Sequence, residues 1–253
     1  MTGMASKVAV DGLDVAFPQG NALRACLFAL ISASLVTAAS ATAAPQKLER
    51  DTGSNSPEAP RARIPNGAGK DPTIARKVVA DFARCVVDRN AKEIHRAFSL
   101  PPGRNYWRTM SVIATNQCLA EGQMSIPQSV MRGAIFAELF RRFTRDSVRL
   151  VAVAPIDFSQ AVEKDDQPGR TQRAKMQLAA CIVRTDRMNS TAVVLEPTGS
   201  STQEAAFKAL APSIGPCVSE GEQMTISKSI LEGILAEVLY RGTLALPSQT
   251  ELK

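Results

Sequence analysis

A chain of 253 residues with 45% hydrophobic and 21% charged residues has ordinary globular composition, enough for one large domain or two small ones, which excludes wholesale disorder. Aromatics make up only 5%, so the core must rest on Ala, Val, Leu, Ile and Met; that mix favours close-packed helices over sheets, where β-branched and aromatic side chains predominate. The formal charge is +6, but residues 71–150 carry 13 Lys/Arg against 7 Asp/Glu while residues 151–253 carry 10 against 12, so the basic character belongs to the first half.

No charged residue occurs from Ala25 to Gln46, and Arg24 stands just before that run. A positive flank, an apolar run and a small-residue ending are the parts of a secretory signal peptide. Ala41-Thr42-Ala43 fits the A-x-A rule, so cleavage is expected between Ala43 and Ala44, with residues 1–43 as the leader. The alternative is an uncleaved N-terminal anchor, because the run is just long enough to span a bilayer. Its strongly apolar part, Leu27 to Val36, is short and decays into Ala, Ser and Thr, which favours cleavage. Both readings place the remainder outside the cytoplasm, in the periplasm or secreted. Residues 44–70 are rich in Pro and Gly without apolar periodicity and read as a disordered linker.

The chain then repeats itself. CLAEGQMSIPQSVMRGAIFAELFR from Cys118 aligns with CVSEGEQMTISKSILEGILAEVLYR from Cys217 once Glu222 is treated as an insertion. Gly133, Leu139 and Arg141 then match Gly233, Leu239 and Arg241, and Ala83 to Val87 matches Ala179 to Val183. The expected fold is mainly α: two tandem repeats of a three-helix unit, residues 71–146 and 171–243, joined by a connector over 147–170 and followed by a tail over 244–253.

In unit one the first helix carries Val78, Val79, Phe82, Cys85 and Val86 at helical spacing, with Asp71-Pro72 as its cap and first turn. The second segment is expected around 105–117, matched by 202–211. The third shows an apolar stripe of Val130, Met131, Ala134, Ile135 and Leu139, matched by Ile230, Leu231, Ile234, Leu235, Val238 and Leu239. Ser229 with Glu232 has the spacing of a capping box. A mid-helix glycine costs about 1 kcal/mol against Ala; its presence in both copies, Gly133 and Gly233, predicts close packing of another helix. The QMSI and QMTI stretches read as extended, and Val148 to Ala154 as a strand or packed connector.

Without the leader four cysteines remain, Cys85, Cys118, Cys181 and Cys217, which allow three connectivities. The repeat favours Cys85–Cys118 and Cys181–Cys217, because each unit then closes itself, and export supplies the oxidising compartment. Each bond closes a loop worth about 3–4 kcal/mol in the chain-entropy model. A redox pair would show C-x-x-C spacing, which is absent, and one histidine leaves zinc binding without ligands.

No catalytic constellation stands out. His95, the only histidine, lies among Lys92, Glu93 and Arg96 on a charged face. Glu121 and Glu220 correspond between the repeats, as Glu138 and Glu237 nearly do; paired carboxylates are glycosidase chemistry, yet Glu-Gly at 121–122 and 220–221 reads as turns. Phosphate-cradling and nucleophile-elbow motifs are missing. No cofactor and no metal is expected. Arg132, Arg141, Arg142, Arg145 and Arg149 are read as a cluster at the end of the third helix of unit one. Export removes nucleic acid as their partner; another envelope protein or an anionic envelope surface fits, against the bland reading of a solvated helix end.

The pattern resembles a group of uncharacterised exported proteins common in alphaproteobacteria, sphingomonads especially, whose units carry A-x-C-V-V, a second Cys, an E-G turn and a closing G-x-L-A-E-x-L-Y-R. Here Cys181-Ile182-Val183, Cys217 and Gly233 to Arg241 carry it best. Unit one departs at Ala137-Glu138-Leu139-Phe140, where the Glu is shifted by one place. The resemblance covers residues 75–243 and implies export and the paired-cysteine unit, but no activity. The sequence therefore points to a non-enzymatic binding or structural protein of the periplasm or cell envelope, with a carboxylate hydrolase sited between the units as the competing expectation.

Overall fold

The computed structural model describes residues 7–10, 13–15, 61–66, 68–99, 113, 116–120, 124–146, 154, 156, 158, 167–219 and 223–244. The leader cleavage site at Ala43 and Ala44, most of the 105–117 segment, Glu121, Glu220 and the tail beyond Leu244 lie outside the described residues.

The fold is mainly helical, with seven α-helices among the described residues. Helix α1, Pro72–Arg89, starts as the sequence predicts: the Asp71 carboxylate accepts from the backbone N–H groups of Thr73 (2.8 Å) and Ile74 (3.3 Å), and Pro72 fills the first turn. It ends at Asn90, and α2 follows over Ala91–Ser99. The first segment is thus two helices, and His95 sits on the exposed face of the second. Helix α3 is Gln128–Asp146.

The second half also has a long helix followed by a short one. Helix α4, Gln167–Thr185, begins inside the stretch expected to be connector. Asp186 closes it, donating its N–H to Ile182 (2.8 Å), and caps α5, Arg187–Leu195, through Asn189. Helix α6, Ser201–Leu210, is capped by Ser200, and α7 is Lys228–Leu244. This half therefore has four α-helices where three segments were expected. The missing one, α5, is a nine-residue helix in which Asn, Ser, Thr and two Val make up five positions, a composition with weak helical signal.

The turn from α5 to α6 needs Gly199, whose φ is +73°. A Cβ there would also lie 2.8 Å from the Thr73 methyl and 2.9 Å from Lys77 Cε, because α1 packs against the turn.

Helix α7 is the centre of the molecule. Every residue from Leu231 to Tyr240 is buried, so the apolar stripe of the sequence reading is one side of a helix enclosed all round. α3 packs most extensively against it; α1 covers α3, and α4 and α5 cover α7. The capping box does not form: Ser227, not Ser229, accepts from the Ile230 N–H (3.3 Å), and Glu232 turns inward. One core runs through both halves, with Phe98 stacked on Phe136 (ring centroids 4.0 Å apart) and Tyr240 tilted against Phe136 at 5.9 Å.

Two features fall where no structure was expected. β1 (Lys7–Val10) and β2 (Leu13–Val15), antiparallel to each other, lie within the stretch read as leader, and β1 pairs in parallel with β3 (Gln223–Ile226), the QMTI segment. In the stretch read as a disordered linker, Ala62 is buried and bridges Leu119: its N–H donates to Cys118 (2.9 Å) and its carbonyl accepts from Ala120 (3.0 Å). Of the 148–154 segment, Ala154 is described, and its N–H donates to Gly242 (3.0 Å), which fits a packed connector.

Candidate functional site: a charged helix crossing

Both disulfides close within one half, Cys85–Cys118 with Cα atoms 5.6 Å apart and Cys181–Cys217 at 5.7 Å, ordinary spacings for the bond. The first is sealed in the core; in the second both cysteines are only partly buried.

The halves meet where α3 crosses α7. A Cβ built on Gly133 would lie 2.6 Å from the Gly233 Cα, and one built on Gly233 would meet Gly133 equally badly. No side chain fits between the helices there, which is why positions 133 and 233 are both glycine. Backbones this close bring the flanking residues at positions 132, 137, 141, 232, 237 and 241 into the interface, and several of those are charged.

On one flank Glu237 is the hub. Its Oε2 accepts from Arg132 Nε (2.7 Å) and Gln172 Nε2 (3.3 Å), and its Oε1 from Arg241 Nε (2.9 Å) and Arg132 Nη2. A carboxylate offers about four acceptor sites, and all are taken. Arg132 is 2% exposed and Glu237 3%. Arg132 also lies over the rings of Phe98 (5.5 Å) and Phe136 (5.1 Å), and Arg241 over Phe136 (5.3 Å), so the cations are held by aromatic faces as well. Burial raises the Tyr240 hydroxyl pKa beside them, opposed by the charge of Arg241.

On the other flank Glu232 is the hub. Arg141 Nη2 donates to its Oε1 (2.8 Å), as does Thr198 (3.2 Å), and Arg76 Nη2 reaches Oε2 (3.1 Å). Arg76 continues to Gln203 (2.6 Å) and Glu204 (3.5 Å), and Lys228 closes the chain on Glu204 (2.6 Å). Arg141 Nε donates to the Val194 carbonyl (2.8 Å), so this network spans α1, α3, α6, α7 and the end of α5. A groove of about 340 Å³, open mouth included, runs beside it, floored by the two glycines and bordered by Arg76, Arg141, Thr198 and Ser229.

Three of the five arginines read as a basic patch, Arg132, Arg141 and Arg142, are thus held in ion pairs. Arg132 and Arg141 turn into the crossing. Arg142 bonds Glu138 (2.8 Å) and Asp88, which ties α3 to α1. Burial depresses the Arg142 pKa, but hydrogen bonds to Glu138 and Asp88 outweigh it and leave it raised. Arg145 lies in the last turn of α3, and Arg149 lies outside the described residues. The sequence reading missed the carboxylate partners of Arg132 and Arg141 because they stand 105 and 91 positions away. The signal that existed was Glu232 and Glu237 set in an otherwise apolar helix, which demands buried cations.

Among the described residues no His/Cys/Asp/Glu group is arranged to hold a metal ion. No described helix is long and apolar enough to cross a membrane. No protein-family model, no curated protein and no solved structure matches this chain.

Proposed function

We propose that the protein is exported and acts in the periplasm or cell envelope as a binding or structural protein built from two copies of a paired-cysteine helical unit, like the exported alphaproteobacterial proteins it resembles. The observation that carries this reading is the pair of half-contained disulfides: such bonds persist in oxidising compartments. The uncharged run after Arg24 and the A-x-A site supply the route. Duplication is supported by Gly133 and Gly233, equivalent in sequence and in mutual contact at the crossing.

A non-catalytic role is supported by the condition of the carboxylates between the halves. A general acid or base must offer a free oxygen to its substrate, and the Glu237 oxygens are saturated by arginine and glutamine donors. The competing hydrolase would have to strip Glu232 and Glu237 from those donors before using them. The partner we expect is another envelope protein or an anionic envelope surface, in keeping with the basic first half.

The test is the N-terminus and thiol state of protein recovered from its own cell envelope. A chain starting at or near Ala44 with no free thiol is expected. Cytoplasmic protein with four reduced cysteines overturns the reading, and an intact leader in the membrane fraction replaces cleavage by anchoring. Crosslinking of the tagged protein in intact cells then identifies the partner.

A further inference from the structure

We propose that the ion pairs flanking the glycine contact are a selectivity device: they let α3 accept α7 and make it reject the α3 of a second copy, so that the protein closes on itself as a monomer. This goes beyond the reading of export and binding and holds whichever compartment the protein occupies.

The argument starts from equivalent positions. With Gly133 matched to Gly233, Arg132 corresponds to Glu232, Ala137 to Glu237 and Arg141 to Arg241. Across the observed crossing, position 132 of α3 meets position 237 of α7, and position 141 of α3 meets position 232 of α7. Both contacts join arginine to glutamate.

The same crossing made between two copies of α3 would set Arg132 against Ala137 and Arg141 against the other Arg132. Four arginines would enter the interface with no carboxylate among these positions. Made between two copies of α7, it would keep an Arg241–Glu232 contact but oppose Glu232 to Glu237. Only the mixed pair matches charge at both contacts. Buried like charges cost far more than a buried matched pair returns, so the pattern works chiefly by exclusion. Gly133 and Gly233 make such exclusion necessary: they give both helices the same smooth, close-approach surface, and backbone fit alone cannot tell one half from the other.

Sedimentation of the whole protein over a wide concentration range tests this. The wild type is expected to remain monomeric. Arg132→Met with Arg141→Met keeps side-chain length while removing the repulsion between two α3 helices, and should self-associate at least tenfold more tightly than wild type. The swap Arg132→Glu with Glu237→Arg keeps the mixed crossing matched but also sets an acid against Arg141 between two α3 helices and a base against Glu232 between two α7 helices, so it should fold and self-associate more tightly than wild type; a folded swap that stays monomeric overturns the proposal. If the methionine variant fails to fold, Glu237→Gln, which removes the clash between two α7 helices, takes its place with the same expected dimer. A wild type that dimerises through α3 or α7 overturns the proposal. So does a folded neutralised variant that stays monomeric. Failure of the neutralised variants and of the charge swap to fold also overturns it, because the pairs would then be structural necessities and not selectors.

Discussion

The two disulfides close loops of similar length, 33 and 36 residues, yet they sit in different surroundings. Cys85 and Cys118 are 0% and 1% exposed, wedged between α1 and the bridge at Ala62, whereas Cys181 and Cys217 are only partly covered. Spacing along the chain and burial in the fold are thus separate properties, and here only the spacing is common to the halves. The same holds five residues after each first cysteine. Asn90 ends α1 by donating its N–H to Val86 (3.0 Å), while Asp186 ends α4, caps α5 and accepts from Ser213 (3.2 Å). One joint is neutral and the other carries a charge.

The sharpest break of this comparison is removal of each bond in turn. Replacing Cys85 and Cys118 by Ser should cost about 2–5 kcal/mol, with a further penalty for hydroxyls set in an apolar core. The same change at Cys181 and Cys217 should cost less, because its hydroxyls can reach water. Chemical denaturation measures both, and equal losses would refute the distinction.

Next in size is the crossing that the halves share. Gly133→Ala and Gly233→Ala should each lose about 1–3 kcal/mol by overpacking, and by similar amounts, because the contact is mutual. A thermal melt that left either variant at wild-type stability would mean that the helices separate freely.

Graded treatment with a dithiol followed by alkylation and peptide mapping should show Cys181–Cys217 opening first, while the helical spectrum persists. Simultaneous labelling of all four cysteines would mean that reduction requires global unfolding.

The smallest expected effect is at the charged joint. Asp186→Ala removes an N-terminal cap worth about 1 kcal/mol at neutral pH. Burial pushes the Asp186 pKa up, but hydrogen bonds from the Asn189 side chain and backbone and from Ser213 outweigh it, so the pKa is lowered in the folded protein. A depressed carboxyl pKa contributes stability above its unfolded value and loses it as pH falls through the folded one. The gap between wild type and Asp186→Ala should therefore narrow in acid, while Asn90→Ala should show no such narrowing. Denaturation midpoints over a pH series measure this.

Much of the architecture was legible in the residues. Asp71-Pro72 marked the first helix, similar cysteine spacing marked the disulfides, and the repeated glycine marked a close crossing. What was not legible depended on partners remote in the chain. Arg132 reads as a surface residue until Glu237 is placed beside it, and Ala62 reads as linker until Leu119 bridges it. The helix breaks at Asn90 and Asp186 were missed for another reason: polar residues inside an apolar rhythm fit an exposed face as well as a joint, and the hydrogen bonds that decide between them appear only in three dimensions.

The pairing of β1 with β3 has a kinetic consequence. It pairs Lys7 with Gln223, 216 positions further along, so it cannot form before Ile226 has been made, and contacts of such sequence separation form late. The uncharged run from Ala25 to Gln46 stands between the two strands and is available as soon as it leaves the ribosome. If the chain is exported and cleaved as proposed, export and this ladder are rivals in time: a chain captured early carries β3 across without β1, while a chain left to fold first locks the residues before the run onto the body that follows it. On the early route, the backbone groups of Gln223–Ile226 that β1 would have met emerge as a bare strand edge.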